Sequence, residues 1–263
     1  MATSQPPVNG NHPKRRRGIY LLPNLFTTAG LFAGFFAIVS AMDGRFEAAA
    51  VAIFVAMIMD GIDGRLARMT NTQSAFGAEY DSLADMVSFG LAPALVIYEW
   101  GLAGLGKMGW LAAFLFTAAA ALRLARFNTQ VGTADKRYFQ GLASPAAAAV
   151  LAGFVWLSDS YQLGGEELGA VAWILTVMLA LLMVSNVRYH SFKDLDLKGK
   201  VPFVAMLAVV FTFVLISLSP PRVLFLMFFV YAYSGPILTI FYVRKQKRLR
   251  RKAEEMAEEK NGT

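Results

Sequence analysis

The sequence is short of the side chains that most often build catalytic and metal sites. Its 263 residues include no cysteine and only two histidines, His12 and His190. Without cysteine there is no disulfide, no thiolate metal site and no cysteine nucleophile, and two imidazoles are too few for a site built from three. Metal-binding capacity therefore rests on carboxylate oxygens, which favour hard cations such as Mg²⁺ or Mn²⁺.

Charged residues are scarce as well. They make up only 16% of the chain, whereas 56% is hydrophobic and the mean hydropathy is +0.48. A soluble domain of this length could not hide so many apolar runs, so the composition predicts an all-α, polytopic integral membrane bundle. The apolar runs and the turn residues between them predict eight transmembrane helices, at roughly 20–42, 46–69, 76–99, 108–128, 143–160, 167–187, 200–218 and 222–244.

The distribution of positive charge indicates a membrane orientation. The formal net charge is +7, but the basic residues gather beside the apolar spans, which favours lipid headgroups over nucleic acid as their partners. Eight spans place all but three of the 25 basic residues on one side, the exceptions being Arg45, Lys107 and Arg222. By the positive-inside rule we expect both termini in the cytoplasm and the protein in a bacterial-type inner membrane.

The same patterns divide the chain into three parts. We expect residues 1–17 to be a disordered basic segment, 18–244 to form the transmembrane domain, and 245–263 to be a charged cytoplasmic tail.

Four aspartates stand out because they interrupt apolar helices. Asp60 and Asp63 fall near the end of the second predicted helix, and Asp81 and Asp85 near the start of the third. An ionised carboxylate at membrane depth costs a few kcal/mol or more, so four together need cations or water. Functional residues should therefore be sought in this acidic cluster.

Helical periodicity places the cluster on two stripes. Asp60, Asp63, Gly64, Ala67 and Arg68 share one face of the second helix. Gly77, Asp81, Asp85 and Ser88 recur at about one turn each along the third. The link of about six residues, Thr70 to Ala75, predicts antiparallel neighbours whose stripes face each other near the cytoplasmic interface.

Each residue type suits a phosphate site. Converging carboxylates hold divalent ions, which neutralise a diphosphate and polarise the bond being broken. Gly64, Ala67 and Gly77 leave room for a base or a phosphate, and Arg68 carries a permanent charge that binds phosphate bidentately. The spacing leaves two other interpretations open: an ion pathway in an ion-coupled transporter, and structural ion pairs with Arg65 and Arg68.

The complete motif resembles a family signature. The eight residues Asp60, Asp63, Gly64, Ala67, Arg68, Gly77, Asp81 and Asp85 match, over 26 positions, the signature of the CDP-alcohol phosphatidyltransferase family. The resemblance implies transfer of a phosphatidyl group from a CDP-linked lipid to an alcohol, with release of CMP. It further implies a divalent cation, Mg²⁺ or Mn²⁺, held by Asp60, Asp63 and Asp81 with Asp85 completing the set, and a homodimer.

Roles for single residues follow from the same resemblance. Asp85 is expected to act as the general base. CDP-diacylglycerol is expected to contact Asp60, Asp63, Gly64, Ala67, Arg68, Gly77 and Asp81.

The flanks resemble the phosphatidylserine synthase branch of the family. The resemblance covers most of residues 18–202, with one departure at Ala143, where the branch pattern has proline. It implies L-serine as the acceptor; glycerol phosphate or an inositol phosphate are the alternatives. Candidate contacts to serine or to lipid phosphate are Asn24, Ser88, Arg123, Arg126, Asn128 and Ser144. Arg123 and Arg126 share a helix face, and membrane anchoring is the competing interpretation for both.

Overall fold

The computed structural model of the protein describes residues 21–70, 74–130, 138–190 and 203–261. The predicted disordered segment 1–17 lies outside these ranges. Nine α-helices occur in the described part: α1 Leu21–Met42, α2 Phe46–Met69, α3 Ala75–Asp85, α4 Ala92–Ile97, α5 Lys107–Gln130, α6 Ser144–Ser160, α7 Gly165–Val184, α8 Phe203–Leu218 and α9 Pro220–Asn261.

The third predicted helix is longer and less regular than the sequence indicated. A π-helical segment, Met86–Leu91, joins α3 to α4, and a second one, Tyr98–Leu102, is followed by a 3₁₀ turn, Ala103–Leu105. Together these pieces form one apolar run, Ala75–Leu105. The first π-helical segment follows Asp85 directly, and such wide turns often occur at functional sites.

Five helical runs are long and apolar enough to cross a bilayer: Leu22–Met42, Ala75–Leu105, Lys107–Thr129, Gly165–Val184 and Pro220–Thr239. The chain is therefore an integral membrane protein. Of the remaining helices, α6 is only 17 residues long and α2 carries the charged motif. The last helix continues from the apolar span into the charged tail without a break, as far as Asn261.

Small side chains bring the helices together. Along α1 and α2, Ala33, Ala37, Ala49 and Ala56 are buried, so the two helices pack closely along their lengths. Helix α6 is buried almost throughout its alanine-rich first half and packs against α2 and α9. Close approach through small residues is the expected mode of helix association in lipid, where the hydrophobic effect does not drive it.

A short antiparallel ladder was not predicted. Strand β1, Tyr138–Gln140, pairs with β2, Arg188–His190, so that Phe139 lies opposite Tyr189. Gly141 follows with a φ of +79°, and its N–H donates to the carbonyl of Val187 at 2.9 Å. The described residues are otherwise helices and connecting turns, so the predicted all-α class holds apart from these two three-residue strands.

Candidate active site

Three of the four aspartates converge. Asp60 and Asp63 come from α2 and Asp81 from α3, and one carboxylate oxygen of each lies within 4.8 Å of the other two. Asp63 is buried, whereas Asp60 and Asp81 are half-buried. Three hard oxygens at this spacing, carried by two helices, match the donor set that Mg²⁺ and Mn²⁺ prefer.

The convergence depends on α1, which the sequence analysis did not place between the stripes. Helix α1 packs along α2 and also contacts α3, whereas α2 and α3 make few direct contacts. The hydroxyl of Thr27 in α1 donates to Asp63 Oδ2 at 2.7 Å. The hydroxyls of Thr28 and Tyr80 lie 2.9 Å apart and join α1 to α3. The two acidic stripes therefore meet across a gap that α1 lines.

A small, open cleft lies over the cluster. All four aspartates line it, together with Thr27, Gly30, Leu31, Ala56, Ala84, Ser88 and Phe89. Asp85 stands outside the group of three close oxygens but lies within hydrogen-bonding reach of Asp60. The aspartates are thus divided between a compact group of three and a fourth at the side of the same cleft.

Arginine side chains do not neutralise these acids by direct pairing. Among the described residues, Arg45 and Asp43 form the one ion pair within 4.0 Å, in the turn between α1 and α2. Arg68 instead donates from Nε to the carbonyl of Gly64 at 2.8 Å and is otherwise exposed. The geometry argues against structural ion pairs with Arg65 and Arg68 and leaves the carboxylates for a ligand.

Two glycines of the motif, Gly64 and Gly77, differ in the space around them. A Cβ at Gly64 would meet no atom within 4 Å. A Cβ at Gly77 would lie 3.1 Å from Ser74 Oγ and 3.4 Å from Asn24 Oδ1. Ser74 caps α3 by accepting from the Gly77 N–H at 3.0 Å. Gly64 therefore leaves room beside the cluster, on the face that it shares with Ala67, and Gly77 allows α3 to start close to Asn24.

The candidate acceptor residues separate into two groups. Arg123 donates from Nη1 to the buried Ser144 hydroxyl at 2.9 Å and attracts Asp85 and Asp60 electrostatically. Ser88 lines the cleft, although its hydroxyl donates to the Gly30 carbonyl at 3.1 Å.

Two further candidates, Arg126 and Asn128, make contacts elsewhere. Arg126 donates to the Val184 carbonyl at 3.3 Å and to Asn186 Oδ1 at 3.4 Å. Asn128 donates to the Ser82 hydroxyl at 3.0 Å and so links α5 to α3 beside Asp81. The structure thus brings Arg123 and Ser144 toward the cleft and uses Arg126 and Asn128 to join helices.

Sequence reasoning missed Thr27 as a site residue. A signal was present, because Thr27, Gly30 and Gly34 recur at helical spacing and form a small, partly polar stripe on an apolar helix. The stripe is tight: a Cβ at Gly34 would lie 2.6 Å from Ser88 Oγ.

The fold and the cleft define a class: a helical integral membrane protein with an acidic centre inside its bundle. Comparison with known proteins gives the family. Residues 20–184 match the model of the CDP-alcohol phosphatidyltransferase domain, and the chain belongs to that family.

Named relatives extend the comparison. The chain is 40% identical over 205 residues to the CDP-diacylglycerol–serine O-phosphatidyltransferase of Helicobacter pylori, covering 76% of this chain and 86% of the relative. Its identity to the Mycobacterium tuberculosis protein of the same name is 37% over 186 residues, or 66% and 63% of the two chains. An archaetidylserine synthase of Methanothermobacter thermautotrophicus is 32% identical over 178 residues, or 67% and 72%.

Proposed function

We propose that this protein is a phosphatidylserine synthase, which transfers the phosphatidyl group of CDP-diacylglycerol to the hydroxyl of L-serine and releases CMP. The observation that carries the proposal is the convergence of Asp60, Asp63 and Asp81 beside the open space at Gly64. The relatives support the acceptor, because the names of all three include serine.

Asp60, Asp63 and Asp81 would hold the divalent cation. Their fit rests on three hard oxygens within 4.8 Å of one another. In the described part of the chain no arginine or lysine lies within ion-pair distance of these three aspartates. When bound there, Mg²⁺ or Mn²⁺ would neutralise the charge of the diphosphate and polarise the bond to the leaving group. Asp85, at the side of the group, is left for proton transfer.

Side chains of the protein carry out the proton transfer and stabilise the phosphates. Asp85 takes the proton of the serine hydroxyl as that oxygen attacks the β-phosphorus of CDP-diacylglycerol. A new oxygen–phosphorus bond forms, the bond from the β-phosphorus to the bridging oxygen breaks, and CMP leaves with the bonding electrons. Arg68 stabilises negative charge on the phosphates, and Gly64, Ala67 and Gly77 leave space for the nucleotide. Orientation matters as much as basicity, since a serine hydroxyl has a very high pKa.

The acceptor side lies toward Arg123. Its guanidinium is the cation we assign to the serine carboxylate or to a lipid phosphate, with Ser144 holding one end of it. Arg126, Asn24, Ser88 and Asn128 remain candidates for further polar contacts.

Topology and assembly complete the proposal. We expect eight membrane crossings with both termini in the cytoplasm, an inner-membrane location and the cleft near the cytoplasmic face. The proposal includes a homodimer, which rests on the family resemblance.

The acceptor is tested by a panel of alcohols. Purified protein in mixed micelles is incubated with CDP-diacylglycerol, Mn²⁺ and, separately, labelled L-serine, glycerol 3-phosphate and an inositol phosphate. We expect CMP and a labelled lipid with serine alone. Product with a phosphorylated alcohol and none with serine would assign the chain to another branch of the family. No product with any alcohol would contradict the transferase assignment.

The contact between Thr27 and Asp63 gives a prediction about metal affinity. In Thr27→Val the side chain keeps its shape but no longer orients the carboxylate, so we expect the Mn²⁺ concentration for half-maximal activity to rise about tenfold. The matched control is Thr176→Val in α7, because the buried Thr176 hydroxyl donates only to its own helix, at Ala172. Equal metal dependence in Thr27→Val and the wild type would remove Thr27 from the site.

A further inference from the structure

Helix α3 carries one of the three converging aspartates, Asp81, but is itself poorly packed. Of its eleven residues, all of them in the described part of the chain, only Ala84 is buried. Burial increases in the π-helical segment Met86–Leu91 that follows, and α3 makes few direct contacts with α2 or with α5. Apolar packing therefore does little to fix the rotation of α3 about its own axis.

That rotation matters for a metal ligand. A carboxylate about 5 Å from a helix axis moves by about 2 Å when the helix turns by about 20°. A metal site has to hold its ligands within roughly 0.5 Å. Asp60 and Asp63 lie on α2, which packs along α1 and against α6. Asp81 is therefore the ligand whose position depends most on contacts other than apolar packing.

The residue before Asp81 connects α3 to α1. The phenol of Tyr80 lies 2.9 Å from the hydroxyl of Thr28. Because the Thr28 hydroxyl donates to the Asn24 carbonyl of its own helix at 2.7 Å, the phenol is the donor between the two helices. The ring of Tyr80 also stacks on Phe76, one turn earlier, with 6.0 Å between centroids. The stacking restricts the ring and so supports the bond to α1.

The residue after Asp81 connects α3 to α5. The hydroxyl of Ser82 donates to the Ala78 carbonyl of its own helix at 3.0 Å, and its oxygen accepts from Nδ2 of Asn128 at 3.0 Å. Successive residues of a helix are turned by about 100°, so Tyr80 and Ser82 lie on either side of Asp81. Helix α3 is therefore held from α1 on one side and from α5 on the other.

We propose that Tyr80 and Asn128 are positioning residues for Asp81: their two hydrogen bonds prevent α3 from rotating and keep its carboxylate at the metal site. The proposal rests on the proposed function, and it changes the role of Asn128 from an acceptor contact to a positioning residue. It predicts that each hydrogen bond contributes to metal affinity and leaves the binding of serine unchanged.

The test is the binding of Mn²⁺ to full-length variants without substrate, followed by electron paramagnetic resonance. Tyr80→Phe keeps the ring that stacks on Phe76 and removes the donor, whereas Asn128→Leu keeps the approximate size and removes the amide. We expect the Mn²⁺ dissociation constant to rise about fivefold in each, the usual loss for one hydrogen bond between neutral groups. At saturating Mn²⁺ the KM for serine should stay within about twofold of the wild type.

Two outcomes of this measurement would overturn the proposal. The first is an unchanged Mn²⁺ affinity in either variant. The second is a raised KM for serine in Asn128→Leu without a change in Mn²⁺ affinity, which would return Asn128 to the acceptor site. A lower unfolding temperature with unchanged Mn²⁺ affinity belongs to the first case and indicates a purely structural role.

Substitutions of Ser82 separate hydrogen bonding from packing. Ser82→Ala removes the acceptor and should weaken Mn²⁺ binding as Asn128→Leu does. Combining the two should weaken it by less than twofold further, because both remove the same bond. Ser82→Thr retains the hydroxyl oxygen and should keep the wild-type affinity. Multiplying effects in the double variant, or equal losses in Ser82→Thr and Ser82→Ala, would contradict the proposal.

Matched controls remove similar groups away from α3. Tyr233→Phe loses a phenol that contacts Met178 Sδ at 3.7 Å, and Ser217→Ala loses a hydroxyl that donates to the Phe213 carbonyl of its own helix at 2.9 Å. Both should bind Mn²⁺ like the wild type, and a loss in the controls as large as in the α3 variants would overturn the proposal. If Tyr80→Phe cannot be purified in a folded form, Thr28→Val removes the acceptor of the same bond.

The outcomes distinguish this proposal from the proposed function. Wild-type protein that binds Mn²⁺ but makes no lipid from serine contradicts the function, while the Mn²⁺ affinities of the variants still decide the role of Tyr80 and Asn128. Wild-type protein that binds no Mn²⁺ overturns both the cation assignment and the positioning proposal. Wild-type activity with serine and unchanged Mn²⁺ affinity in the variants contradicts the positioning proposal alone.

Discussion

Replacing Asp81 by asparagine should lower the rate of CMP release by about a thousandfold. The amide keeps the size of the side chain but removes the negative charge of one of the three converging oxygens. The cation would then be held by Asp60 and Asp63 from a single helix, without the ligand that α3 contributes. The other carboxylate that α3 contributes to the cleft, Asp85, lies outside the group of three close oxygens and does not occupy the position of Asp81.

Stability should change in the opposite direction. Without a bound cation the clustered carboxylates repel one another, and the described residues provide no arginine or lysine within ion-pair distance of them. Removing one charge relieves that repulsion, so the unfolding temperature of metal-free Asp81→Asn should equal or exceed that of the wild type. A loss of activity with retained stability would therefore indicate that Asp81 acts in catalysis and not in folding.

The control for this variant is Asp43→Asn. Asp43 is exposed and pairs with Arg45 at 3.0 Å in the turn between α1 and α2. A surface pair of this kind contributes little, so activity and unfolding temperature should match the wild type. Binding of Mn²⁺, followed by electron paramagnetic resonance, should weaken in Asp81→Asn alone. If Asp81→Asn releases CMP at the wild-type rate, the catalytic interpretation of this residue fails.

The sequence predicted which helices carry the four aspartates, because the determinants of that placement are local. The spacing of Asp60 and Asp63 on one helix, and of Asp81 and Asp85 on the next, follows from helical periodicity alone. The bounds of α2 were likewise predictable, since turn residues flank the apolar run and Arg68 lies in its last turn. Even the open space at Gly64 is a property of one residue and its helix face.

The contacts that arrange the centre are not local, and a single sequence does not encode their pairing. Thr27 meets Asp63 across 36 positions, and Tyr189 meets Ala232 across 43. Pairing β1 with β2 brings together residues separated by α6 and α7. Each of these contacts depends on how the helices rotate and pack against one another, which the periodicity of a single helix does not determine.

The second large effect concerns Gly64, where stability and activity should respond in opposite directions. Glycine inside a helix destabilises it by about 0.5–1 kcal/mol relative to alanine. A Cβ at Gly64 meets nothing within 4 Å, so Gly64→Ala should be as stable as the wild type or more so. We nevertheless expect its CMP release to fall by about tenfold, and that of Gly64→Leu by about a hundredfold, because the added atoms displace the diphosphate from the aspartates.

Gly61 supplies the matched control from the same helix. It is exposed, a Cβ there also meets nothing within 4 Å, and it is not one of the eight residues of the motif. Gly61→Ala should therefore show the same gain in unfolding temperature with unchanged activity. Equal activity in the two alanine variants would mean that the space beside Gly64 holds lipid and no nucleotide. A loss confined to position 64 would show instead that the protein gives up helix stability there to admit its substrate.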